Sequence, residues 1–463
     1  MTTLPPPVYL DHAATTPLRP AARAAWLAAV EQVGNPSSLH QYGRAARRLV
    51  EEAREQVAGA LGADPAEVVF TAGGTEADNL AVIGTALGRR AQDPARRRAL
   101  VSPIEHPAVL ESADWLGQLG FEVVEWAVGP DGRVDLERAR DLVTADPASW
   151  ALITCQAVNQ ETGAIQPLAE LAGLALDCAV PLHCDAVQAV GHGAMDLAGT
   201  TPRTTLAETS SAETTPSRTT TTGAASGVTT SDGTPPAESS PAGAAPATLG
   251  AGLWRPGLAA LTLSGHKLGG PVGIGALLAR RDLPLRPVLF GGGQERRVRS
   301  GTLPTALIAA FAAALTEQMA ASAEETARLA GLARRLRRTL TDLGAVLVGP
   351  AAPGQQVCHI VNALFPGCEH DALLLSLDAA GLACSTGSAC TAGVAQASPV
   401  LLALGYDQAS ARSGLRFSLG WTSRPADIDA LAQALPEVLA RARRAGRRPG
   451  ADSAAPDQTG GRP

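Results

Sequence analysis

The chain is 463 residues long, enough for one large and one smaller domain, each with its own core, and too long for a single small binding module. Apolar residues make up 45 % but aromatics only 3 %, so Ala, Leu and Val carry the hydrophobic content, and the formal net charge of -6 supplies no basic field to hold a phosphodiester backbone. No uninterrupted apolar run reaches the roughly 18 residues of a membrane span, and the start, Met1-Thr2-Thr3-Leu4-Pro5-Pro6-Pro7, lacks the regions of a signal peptide, so a cytoplasmic protein is expected. Residues 23–62 have apolar positions at helical spacing and read as two helices broken near Gly34-Asn35-Pro36-Ser37-Ser38. Short apolar runs at 67–70, 99–101, 121–124, 151–154, 180–184, 261–263 and 274–278 follow, separated by helical segments. Strands alternating with helices predict an α/β fold, a mostly parallel sheet covered on both faces with sites beyond the carboxyl ends of its strands. Residues 309–343 read as a long helix into a second domain, with strands near 344–348, 357–364 and 415–418 and helices near 369–380 and 426–444.

Between about 199 and 252 the chain is dominated by Thr, Ser, Ala, Pro and Gly, too poor in large apolar side chains to offset the entropy of ordering, and reads as a flexible surface insertion. Closing a long loop costs only logarithmically more than closing a short one, so the insertion is compatible with an intact site. Seven cysteines, without a Cys-x-x-Cys pair, point to a reducing compartment and away from a zinc ribbon; no metal site is expected. Cys155, Cys178, Cys184, Cys358 and Cys368 read as small core residues. Arg441, Arg443, Arg444, Arg447 and Arg448 read as a solvated helix end running into a disordered tail, 446–463.

Three segments carry chemistry. Leu261-Thr262-Leu263 ends in Ser264-Gly265-His266-Lys267, and Val180 to Cys184 ends in Asp185-Ala186-Val187-Gln188. A lysine and an aspartate at the carboxyl ends of two buried strands are what a pyridoxal phosphate enzyme requires, one to hold the aldehyde and one to face the pyridine nitrogen. Phe70-Thr71-Ala72-Gly73-Gly74-Thr75-Glu76 supplies a strand, a glycine turn and a helix entry whose free amides attract a dianion. Cys390 sits in Cys384-Ser385-Thr386-Gly387-Ser388-Ala389-Cys390-Thr391-Ala392-Gly393, among small residues that give a thiol mobility and little packing.

Together with Tyr9-Leu10-Asp11-His12-Ala13-Ala14-Thr15-Thr16-Pro17 and Arg299-Ser300-Gly301-Thr302-Leu303-Pro304, these segments make the chain resemble the cysteine desulfurases with a Ser-Gly-Ser-Ala-Cys loop, within the class V aminotransferases of PLP fold-type I. The resemblance runs in matching order from about residue 8 to about 440. It implies a sheet of the seven-stranded type in a large domain (17–308, including the insertion), a smaller α+β domain (309–445) carrying the Cys390 loop, and an N-terminal segment (1–16) packed with the small domain. It implies Lys267, Cys390 and His106 as catalytic residues. Cofactor contacts would come from Lys267, Asp185, Gln188, Gly74, Thr75, Ser264, His266 and His106, and from Thr302 across a homodimer interface. Asn159 and Arg416 would hold the substrate, Arg416 because a guanidinium pairs bidentately with a carboxylate.

The implied reaction takes sulfur from L-cysteine as a persulfide on Cys390, for an iron-sulfur scaffold or another sulfur acceptor such as a tRNA-thiolating enzyme, with Cys390 able to contact a cluster on that partner. The chain departs from the family pattern at Gln396-Ala397, where Glu-Pro often precedes the serine, and at Ala259-Ala260, which lack the usual acidic residue. Two alternatives remain open at this point: a related lyase or aminotransferase, including a selenocysteine lyase, that forms no persulfide, and a catalytically silent scaffold.

Overall fold

Runs of Val, Leu, Ile and Ala too short for a helix and closed by polar or glycine residues become strands, those inside the main sheet buried on both faces, and the amphipathic stretches between them become the covering helices. The computed structural model describes residues 7–192, 254–387 and 397–446. The insertion at about 199–252, the tail beyond 446 and Cys390 lie outside the described residues. The chain begins with β1 (Val8–Tyr9), α1 (Pro20–Val30) and α2 (Gln41–Leu61). An alternating series follows: β2 (Val68–Thr71), α3 (Gly74–Gln92), β3 (Arg98–Val101), α4 (Pro107–Gln118), β4 (Glu122–Glu125), α5 (Leu136–Ala145), β5 (Trp150–Thr154), α6 (Leu168–Asp177) and β6 (Leu182–Asp185). After the insertion come β7 (Leu258–Ser264), β8 (Gly275–Ala279), α7 (Thr305–Asp342), β9 (Val346–Val348), β10 (Ile360–Leu364), α8 (His370–Ala379) and β11 (Leu382–Ala383). The last elements are α9 (Pro399–Ala403), α10 (Gln408–Ala411), β12 (Gly414–Ser418) and α11 (Pro425–Gly446).

The main sheet has seven strands in the order β2-β8-β7-β6-β5-β3-β4. Only β8 runs against its neighbours, β7 and β2, so the carboxyl ends of β2, β7, β6, β5 and β3 share one edge. The expected break between the first two helices is real: α1 starts on Pro20, α2 is capped by His40, whose Nδ1 accepts from Gly43 N–H, and α2 stops at Gly62 in the left-handed conformation.

A second core surrounds the antiparallel sheet β12-β10-β9 and includes Leu373, Leu377, Phe417, Leu431 and Leu435. The 38-residue α7 serves both cores, with Ile308, Phe311 and Leu315 under the main sheet and Leu329, Leu332, Leu336 and Leu340 in the second. Its alanine-rich composition makes it the one described helix long and apolar enough by length and composition to cross a membrane, although its sequence holds no continuous apolar run of that length. Those apolar residues are spent on the two cores. The N-terminal segment joins the later part of the chain: β1 pairs in parallel with β11, Leu10 is buried in the second core, and Asp11 bridges to Ser418.

Candidate functional site

The parallel topology delivers four polar groups to the shared edge. β6 ends in Asp185. β7 ends in Ser264 and turns at once through Gly265–Lys267. β3 leads into His106, which caps α4, and β2 leads into the Gly73-Gly74 turn that opens α3.

Lys267 is largely buried, and its Nζ donates to the carbonyl oxygens of Ala13 at 2.5 Å and Ala14 at 2.7 Å. Burial, reinforced by the Arg416 charge and opposed by Asp11 and Asp185, lowers its pKa to about 8. Gln188 donates to the same Ala13 oxygen at 2.9 Å. Asp185 is 7 % exposed and accepts from Val187 N–H at 2.9 Å. Burial pushes its carboxyl above the usual carboxylate range, against the pull of His106, the Val187 amide and Lys267. A cationic ring nitrogen beside it would favour the carboxylate. The His106 Nδ1 accepts from Ala108 N–H at 3.1 Å, which leaves the proton of the neutral ring on Nε2. Burial lowers the His106 pKa, with Asp185 opposing and Lys267 adding to the shift. Lys267, Asp185 and His106 are thus close enough to influence one another's protonation.

The start of α3 is built for close approach. No side chain caps this 19-residue helix, and Gly73 adopts φ +157°. A Cβ on Gly74 would meet Val187 Cγ2 at 3.1 Å and Ser264 Cβ at 3.3 Å, so the first turn lies against the end of β7. Ser264 is buried and Thr75 exposed. Burial, with Lys267 adding to it, depresses the His266 ring to about 4, so it is neutral at pH 7. An uncapped helix start, a buried serine, a single buried amine and a buried carboxyl at a strand edge suit a phosphorylated aldehyde with a ring nitrogen.

Arg416, on β12, is 4 % exposed. It donates through Nη1 to Gln160 O at 2.9 Å and pairs through Nη2 with Asp11 Oδ1 at 2.9 Å, while its Nε has no partner among the described residues. Asn159 is fully buried and its side-chain oxygen accepts from Glu161 N, Thr162 N and Thr162 Oγ1, while Nδ2 donates to Ile104 O at 3.0 Å. It braces the turn after β5 against the segment before His106, leaving one amide proton for any further contact. Thr302 is exposed beside Leu303, which helps line a groove of about 590 Å³ with Arg54 and Glu295. Asp11, within Tyr9 to Pro17, and Glu161, two residues after Asn159, carry no role expected from the sequence. Their signal was a charge set among small residues. Among the described residues no three of His, Cys, Asp and Glu converge as a metal set.

The sequence profile of the class-V aminotransferases matches residues 8–201 and 256–431. The chain is also 42 % identical over 439 residues to an IscS-like cysteine desulfurase of Mycobacterium tuberculosis, spanning 94 % of this chain and 97 % of that one. The chain belongs to the class-V aminotransferase family, among its cysteine desulfurases. Two solved structures resemble this desulfurase along nearly its whole length. One is a NifS-like protein, at 27 % identity and TM-score 0.74, covering 94 % of this chain and 99 % of that one. The other is SspA in complex with cysteine, at 26 % identity and TM-score 0.66, covering 89 % and 98 %. The break in the profile match falls on the interruption read from the sequence, so the desulfurase frame continues on both sides of it. Class-V aminotransferases are pyridoxal phosphate enzymes, in keeping with the amine, carboxyl and helix start at the strand edge.

Proposed function

We propose that this desulfurase takes the sulfur of L-cysteine, releases L-alanine and holds the sulfur as a persulfide on Cys390. The observation that carries the reading is that Asp185 and Lys267, at the ends of β6 and β7, share one edge with His106, while the Asp11–Ala14 segment touches both Lys267 and Arg416 of β12. SspA, a structural neighbour, was solved in complex with cysteine, which supports the choice of substrate.

Pyridoxal phosphate, when bound, supplies an electron sink that weakens bonds at the carbons of an attached amino acid. Lys267 would hold the aldehyde and, when free, would move the proton at Cα. Asp185 would serve the ring nitrogen and Gln188 the ring hydroxyl oxygen, and His106 would be available to pass a proton. Gly74, Thr75, Ser264 and His266 would hold the phosphate, and in a homodimer Thr302 of the partner subunit would join them. Arg416 orients the substrate carboxylate by exchanging its Asp11 pairing or using its free Nε, and Asn159 steadies the turn beside it. The Cys390 thiolate attacks the substrate sulfur, so that an S–S bond forms and the Cβ–S bond breaks. The carbon skeleton keeps that electron pair, takes up a proton and leaves as alanine, and the balance needs no outside oxidant. The persulfide then passes to an iron-sulfur scaffold or another sulfur-acceptor protein. We further place the protein in the cytoplasm, with a large domain over 17–308 and a small one over 309–445.

Purified protein loaded with cofactor and given L-cysteine plus a reducing thiol should yield alanine and sulfide in equal amounts. A keto acid in place of alanine would assign the chain an aminotransferase reaction instead. A second expectation concerns pH. Only the neutral amine attacks an aldehyde, and the Lys267 pKa is lowered, so the neutral form appears earlier on the pH scale than for a free lysine. At pH 7 about one Lys267 in ten is neutral, against about one in 3,000 for an unperturbed side chain. The rate at which cofactor-free protein takes up pyridoxal phosphate should therefore rise with pH and level off above about 8. A rate still climbing tenfold per unit at pH 9 would contradict the burial of this amine.

A further inference from the structure

Glu161 is 2 % exposed, in the turn between β5 and α6, and its backbone N–H is held by Asn159 Oδ1 at 3.0 Å. Its Oε2 accepts from Ser398 Oγ at 2.5 Å, and Ser398 Oγ in turn accepts from Leu401 N–H at 3.1 Å, capping α9. On the opposite flank, a Cβ on Gly387 would lie 3.1 Å from Glu161 Oε2 and 3.2 Å from its Cγ, so that only glycine, here at φ +87°, lets the backbone pass so near the carboxyl. One carboxyl therefore touches the chain where it enters residues 388–396 and just after it leaves them.

The same turn reaches the substrate side. Gln160 O accepts from Arg416 Nη1, and Arg416 and Ser385 exchange backbone hydrogen bonds at 2.7 and 3.2 Å. Burial raises the Glu161 carboxyl to about 7, with the Ser398 hydroxyl and the Arg416 charge holding it down. Burying a carboxyl without a full counter-ion is costly, and here the carboxyl lies between Ser398 and Gly387 on the two flanks of residues 388–396. The cost makes sense if a strong acceptor is needed at this junction.

We propose that Glu161 is a positioning residue for sulfur transfer, fixing both flanks of residues 388–396 against the Arg416 end of the site. The inference rests on the reading of Cys390 as the sulfur acceptor. Glu161 touches no reacting atom and acts through Ser398 and Gly387.

The test separates arrival of substrate from movement of sulfur, using cofactor-loaded, full-length protein in a single turnover with L-cysteine. The change in cofactor absorbance reports substrate arrival, and the mass of the Cys390 peptide reports sulfur transfer. Glu161→Ala should slow transfer by about 10- to 100-fold, the scale of a misplacement near 1 Å, while the absorbance change keeps its rate to within about twofold. Glu161→Gln keeps the volume and an oxygen to accept from Ser398, and should recover much of the lost rate. Ser398→Ala removes the contact from the other side and should reproduce the split if Glu161→Ala does not fold. Transfer at the wild-type rate in Glu161→Ala or Ser398→Ala, or equal slowing of both signals, overturns the proposal. Wild-type protein that makes alanine with no sulfur on Cys390 overturns the acceptor reading itself, and this inference with it.

Discussion

Lys267→Ala should leave a folded protein that binds pyridoxal phosphate only reversibly and forms alanine from cysteine at least about 1,000-fold more slowly than the wild type. The magnitude follows from the two tasks the amine performs, holding the aldehyde and moving the Cα proton, of which proton transfer alone is worth roughly 100- to 10,000-fold. No other lysine can take its place in holding the aldehyde, because Lys267 is the only lysine in the sequence. Because among the described residues the Nζ donates to the Ala13 and Ala14 carbonyls, its loss leaves two acceptors at a partly accessible site, so a modest change in thermal stability is expected beside the large kinetic one. The check is dialysis followed by the visible absorbance of the retained cofactor, together with alanine formation. Retention of a covalently held cofactor in this variant would show that a different amine carries it.

Cys390→Ala should retain cofactor and still bind cysteine, but its sulfide and alanine production should fall to background. The described cysteines are poor substitutes. Cys155 and Cys184 are fully buried, with their thiols pushed well above the usual range by burial. Cys384 lies nearest along the chain, on the strand side of Gly387, and burial raises its thiol to about 12. The thiolate is the nucleophile, so at pH 7 these thiols are almost wholly in the unreactive form. Sulfide assays on Cys390→Ala and Cys384→Ala should separate the two, with Cys384→Ala close to wild type. Substantial sulfide release by Cys390→Ala would favour a lyase that eliminates sulfur without a protein acceptor.

The strand-end chemistry was legible because a buried parallel strand is an almost continuous apolar run, and a polar residue directly after it must leave the sheet at the edge where ligands bind. Asp185 and Lys267 sit there, brought together by β6 and β7 pairing in parallel although the insertion separates them in sequence. The strand starting at Leu258 shows that the missing acidic residue at Ala259-Ala260 does not prevent β7 from forming.

Other features were hidden for a common reason. The reversed direction of β8 leaves no mark in a run such as Ile274 to Leu278, since hydrophobicity carries no strand polarity. β1 and β11 are two residues each, below the length at which periodicity exists, and only their mutual pairing defines them. The Asp11–Arg416 pair joins residues 405 positions apart, and the contact of Glu161 with Ser398 spans 237. Neither distance is accessible to a local pattern, and each partner alone reads as an ordinary surface charge or helix cap.

The destination of the sulfur is the central claim. Intact protein incubated briefly with L-cysteine, alkylated and digested without reductant, should show the peptide containing Cys390 heavier by one sulfur atom, in step with the alanine released. Alanine accumulating while that peptide keeps its unmodified mass, or the added sulfur appearing on Cys384 instead, would contradict it.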